Sequence, residues 1–223
     1  MEEELLGKNY LVTTPIQDTW PTSGKIVFLG EWCKIYSKSI DWNNLDHKVL
    51  PYHWDDRNKL SNDFDYLNKL YESVLVSLSL TLNKTHKVEF STKYWRILIG
   101  PWLGTFIQVL FDRWEMIQVA LNSKEQMYSI TINRDQQKFV PNDMKEFYNL
   151  IITDEWNQYI YETILIYTKN IHLIKIKTTT DIDIDINIEK ESLLKKLYTS
   201  IIKYLTPSSS PFFLNSYFSK IDE

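Results

Sequence analysis

Apolar and polar residues along this chain fall into two rhythms. Tyr10–Thr13 and Lys25–Leu29 are short β-branched or aromatic runs closed off by Pro15, Pro21, Gly24 and Gly30. They predict two buried strands. Lys48–Tyr52 predicts a third, alternating Met127–Ile132 a fourth and Ile171–Ile176 a fifth. Between them the period lengthens. Leu60, Phe64, Leu67, Leu70, Tyr71, Val74, Leu75, Leu78 and Leu82 recur at steps of three and four, predicting a helix over 58–82 with Asp55 or Asp56 as its N-cap. A second helical region starts near Ser91, is expected to break or kink at Gly100-Pro101, and resumes over 102–121 as a helix apolar on most sides. Asp143–Leu150 and a segment opening at Thr153-Asp154 predict two more. Strands alternating with helices point to an α/β fold, a Rossmann-like open sheet with a long helical insertion.

The last quarter is harder to read. Asp181 to Ile188 alternates strictly, as either an edge strand or a low-complexity loop; its aspartates lack the glycine and terminal glutamate of a calcium loop. Residues 189–205 predict a helix. Pro207 to Pro211 reads as a linker, and Phe212 to Phe218 as a strand. The expected organisation is one α/β domain over 1–206, followed over 207–223 by a linker and the opening of a second domain that the chain does not complete.

Composition narrows the function. In 223 residues there are 25 Lys+Arg against 29 Asp+Glu, which lacks the basic excess of a nucleic-acid binder. The single cysteine, Cys33, excludes a disulfide framework and is expected to be structural. The acidic start has no secretory h-region, and no apolar stretch is long enough to span a bilayer, so the expected location is the cytoplasm. No phosphate-loop, dinucleotide, nucleophile-elbow or zinc-protease motif occurs, and the four histidines are scattered. No cofactor and no metal site are expected.

Four polar clusters remain as candidates for chemistry. Tyr52-His53-Trp54-Asp55-Asp56-Arg57 precedes a helix. There His53 with Asp55 or Asp56 could form an oriented general base and Arg57 an anion clamp; equally, an aspartate could cap the helix while His53 packs. Glu31-Trp32-Cys33 follows a strand, where a carboxylate suits catalysis or a sugar hydroxyl. Tyr94-Trp95-Arg96 and Gly100-Pro101-Trp102 combine aromatic rings with freed backbone amides, or form a kinked core helix. Asp112-Arg113-Trp114-Glu115, inside an apolar helix, reads as an internal ion pair.

These clusters, with Leu11-Val12-Thr13-Thr14, Thr19-Trp20-Pro21 and Phe28-Leu29-Gly30 ahead of them, stand in an order that resembles the transferase family of bacterial O-antigen and surface-polysaccharide gene clusters. The resemblance runs from about Tyr10 to Ala120, then thins. It implies the amino-terminal, acceptor-side lobe of a two-lobed (GT-B-like) glycosyltransferase, inactive without its second half. It also implies His53, Glu31 or Asp55 as catalytic groups, and Arg57, Arg96, Trp32, Trp54, Tyr94 and Trp102 as substrate contacts. The partners it implies are a nucleotide sugar and a saccharide acceptor, no nucleic acid, and a membrane bound peripherally. The competing expectation is a non-catalytic binding or scaffold module acting with a separately encoded second half.

Overall fold

The computed structural model describes residues 7–35, 42–123, 125–132 and 136–176. The readings for Asp181–Ile188, 189–205 and 207–223 lie outside these residues.

Five strands form one parallel sheet: β1 (Asn9–Val12), β2 (Lys25–Phe28), β3 (His47–Val49), β4 (Met127–Ile132) and β5 (His172–Ile176). Their order is β3-β2-β1-β4-β5, with β1 paired to both β2 and β4. This is a Rossmann-like α/β sheet. The near-continuous apolar character of β1 and β2 follows from a parallel sheet covered on both faces. Val27, Phe28 and Leu29 are completely buried.

Among the described residues the sheet is accompanied by the helices α1 (Arg57–His86), α2 (Thr92–Asn122), α3 (Met144–Leu150) and α4 (Asp154–Thr168). Asp56 caps α1, its carboxylate accepting from the amides of Asn58 and Lys59. This resolves the choice between Asp55 and Asp56. Ser91, Asp143 and Thr153 cap the other three in the same way. Helix α2 corrects one expectation: it runs unbroken through Gly100-Pro101. Pro101 lies on the exposed side of the helix. The carbonyl it deprives of an amide partner belongs to exposed Ile97 and can turn to water, so the helix need not end. At Gly100 the two long helices approach closely, a Cβ there falling 2.7 Å from the Tyr71 hydroxyl of α1.

Two apolar cores result. In the first, Met116, Ile117 and Ala120 of α2 and Tyr161, Ile164 and Leu165 of α4 pack against β1 and β2. The second lies between α1 and the first half of α2, around Leu67, Leu75, Leu103 and Ile107. Helix α2 joins them.

Candidate functional site

A cavity of about 900 Å³ opens beyond the carboxyl ends of β1, β2 and β3. Open α/β sheets bind ligands along this edge. The crevice where the strand order reverses, between β1 and β4, is filled by the protein itself. Thr13 and Thr14 donate to Gln158 Oε1 at 3.0 and 2.6 Å; Gln158 donates to Glu162, whose carboxylate also accepts from the amide of Ile132. The free space is therefore displaced towards β2 and β3.

Its wall is built around Asp112. This buried carboxylate accepts from the Tyr52 hydroxyl at 2.5 Å, from His53 Nε2 at 3.1 Å and from Arg113. A carboxylate so placed acts as acceptor only, which puts the ring proton of His53 on Nε2. Arg113 donates through Nε to Asn157 at 2.9 Å and lies over the Tyr161 ring, so its guanidinium faces the cavity in one fixed orientation. Burial, reinforced by the bond to Asp112, drives the Tyr52 phenol well above its ordinary range. Burial does the same to Tyr161.

The rim carries Trp32, Glu31, Asp55 and Asp154. Trp32 is held by its indole N–H, which donates to the Thr13 carbonyl at 3.0 Å, and by the backbone of Gly30. A Cβ on Gly30 would fall 2.1 Å from the indole, so only glycine lets the ring fold back there. The ring is 38% exposed and presents its free surface to the cavity. Glu31 pairs with Lys34 at 2.7 Å. Asp55 and Asp154 have no ion pair among the described residues, and burial, with a smaller contribution from Glu155, raises the Asp154 carboxyl.

Of the residues singled out in sequence, Glu31, Trp32 and Asp55 meet at this cavity. His53 stands one layer behind it, its side chain 0% exposed, between the rings of Tyr52 and Trp54. It is held by Asp112 rather than by Asp55 or Asp56, and its Nδ1 has no partner. The other expected contacts point elsewhere. Arg57 is exposed at the start of α1. Arg96 makes a bidentate pair with Glu72, both bonds at 2.6 Å. Trp54 donates to Asp63 and faces the gap between α1 and α2; Trp102 stacks on Phe106; Tyr94 packs on Phe90. Cys33 is structural as expected, its buried thiol donating to the Val12 carbonyl and pushed up to about 12 by burial.

The Asp112-Arg113-Trp114-Glu115 cluster reads in sequence only as an internal ion pair, and no motif in the sequence assigns Asp154, Asn157 or Tyr161 to a site. Two signals were available. An Asp-Arg dipeptide inside an apolar helix must be satisfied by something brought to it, and Asp154 opens a helix near a strand edge.

Among the described residues no helix is long and apolar enough to cross a membrane, and no cluster of three or more metal-ligating side chains occurs. No curated protein and no solved structure matches the chain. A family model, that of the LIC12162 family transferase, matches residues 9–223. With the match covering nearly all of its length, the chain belongs to the LIC12162 family of transferases.

Proposed function

We propose that this chain is the acceptor-side lobe of a glycosyltransferase-like enzyme that works in the cytoplasm on surface polysaccharide such as O-antigen. The observation that carries the proposal is the cavity itself: an indole face on its rim beside two carboxylates that form no ion pair among the described residues. A pyranose offers an apolar face to stack on an aromatic ring and hydroxyls to donate to carboxylates. A transferase also needs a base to take the proton from the attacking hydroxyl. Asp154 is itself exposed at the rim, and partial desolvation there raises its carboxyl, the direction that favours a base. Asp55 and Glu31 are the other candidates, Glu31 being weakened by its pair with Lys34. His53 acts through Asp112 as a positioning residue, keeping Arg113 aimed at the ligand. In a GT-B-like arrangement the nucleotide sugar is held by a second lobe facing this cavity.

The test is a transfer assay on the full-length protein with a panel of nucleotide sugars and saccharide acceptors. Asp154→Asn should lower kcat by about 100-fold or more without moving the unfolding midpoint. Trp32→Ala should raise the acceptor KM by about tenfold, the scale of one lost aromatic contact. Absence of transfer from every nucleotide sugar overturns the reading. So does full activity in Asp154→Asn, Asp55→Asn and Glu31→Gln alike.

A further inference from the structure

Helix α2 passes the cavity at Asp112 and Arg113, and its later turns lie in the sheet core before β4 begins. Traced backwards from Asp112 to Thr92, the helix extends past the carboxyl edge of the sheet by roughly 30 Å at 1.5 Å per residue. Helix α1 accompanies it, so the two form a hairpin whose closed end stands well clear of the sheet.

That end is closed by a helix cap and side-chain hydrogen bonds. Lys87 adopts the left-handed conformation, φ 56°, and ends α1. The Asn83 side chain bonds both the amide and the carbonyl of Phe90 and accepts from the Trp95 indole at 2.8 Å. Its surface nevertheless carries several large apolar side chains. Leu80, Phe90, Tyr94, Ile97 and Leu98 are each between 40% and 70% exposed, and the Phe90 and Tyr94 rings lie 4.1 Å apart. Exposed Lys84, Lys87 and Lys93 stand among them, opposed locally only by Glu89. The chain as a whole carries a net charge of −4, so positive charge is concentrated here against the overall sign.

We infer that the closed end of this hairpin docks on an anionic lipid surface. Aromatic and aliphatic side chains enter the boundary between headgroups and acyl chains, while lysines reach the phosphates along their own apolar stems. Protein interfaces are the less suitable partner, since lysine is depleted from their cores and here lies among the apolar residues. Docking there would leave the cavity about 30 Å along α2 from the hairpin's end. The inference does not depend on the transfer chemistry.

Vesicle flotation tests it with the 223-residue chain. The chain should float with vesicles of equal phosphatidylcholine and phosphatidylglycerol, remain behind with phosphatidylcholine alone, and be released as salt is raised. Lys84→Gln/Lys87→Gln/Lys93→Gln should weaken partitioning by about 100-fold. Phe90→Ser/Ile97→Ser should weaken it by about tenfold or more with helical circular dichroism unchanged, and Lys138→Gln/Lys169→Gln should leave it as it was. Failure to float overturns the inference, and so does binding untouched by the hairpin variants. A dimer seen by light scattering and dispersed by Phe90→Ser would overturn it too, by assigning this surface to a second copy.

Discussion

The sheet-bearing body and the α1–α2 hairpin use similar residue types and bury them differently. In the body, a parallel sheet flanked by α2 and α4 encloses Val27, Phe28, Leu29, Met116 and Ile117 completely. In the hairpin, two helices share a single seam, in which Leu75 is fully buried while Leu67 and Ile107 keep a little exposure and Phe64, Leu80 and Ile97 face outward. Two packed helices have one interior line, whereas a covered sheet has an interior plane. The polar groups follow the same division. The body places Asp112 and Gln158 inside and satisfies each with partners from distant elements, while the hairpin's Arg96–Glu72 pair stays on its surface. A rigid, satisfied interior suits a ligand cavity, and an incompletely covered one suits contact with another phase.

The sharpest way to break this contrast is a pair of core truncations. Phe28→Ala should cost about 3–5 kcal/mol in urea denaturation, and Leu103→Ala about 2–3 kcal/mol, because the hairpin seam can collapse around the gap. Equal losses would mean that the two cores are equally constrained. Next, Asp112→Ala should cost about 3 kcal/mol by leaving Arg113 and His53 without their shared acceptor. Asp112→Asn, which keeps an acceptor oxygen, should cost visibly less in the same measurement.

Alkaline pH sharpens the comparison further. The Cys33 thiol is raised from 9.0 to about 12 in the folded body, so its contribution to stability is fully present below pH 9 and is lost as pH rises towards 12. Cys33→Ala should flatten that part of the stability–pH curve, and at pH 8 the native thiol should react with maleimide only after unfolding. The smallest effect belongs to the hairpin surface: Arg96→Ala should leave the denaturation midpoint unmoved, since exposed pairs add little. A clear drop there would show the hairpin to be held by charge rather than by its apolar seam.

The secondary structure was readable because hydrophobic period reports local burial. All five strands and all four described helices lie within a few residues of their expected places, and Asp56 caps α1 as one of its two candidates. The site was readable only in part. Glu31, Trp32 and Asp55 sit at the ends of local elements that face the carboxyl edge, and position along the chain was enough to suggest them. Of the two readings of His53, the packed one with an aspartate capping the helix holds, and the carboxylate that orients the ring is neither Asp55 nor Asp56 but Asp112, 59 positions away in α2. Arg57, Arg96, Tyr94 and Trp102 are motif residues too, but they lie on helix turns away from the cavity, and Trp54, in the turn before α1, faces the gap between the two long helices instead.

The sequence by itself determined that this chain forms an α/β sheet with a long helical insertion, and it placed three of the cavity's side chains. Its periodicity carries that information because each residue's burial is set by its own element. Only the tertiary structure decided that Asp112 organises the wall, that Gln158 fills the switch-point crevice, and that α2 continues through Pro101 to join two cores. Those outcomes depend on which distant groups satisfy one another's hydrogen bonds and which faces meet, and a linear pattern does not encode such pairings.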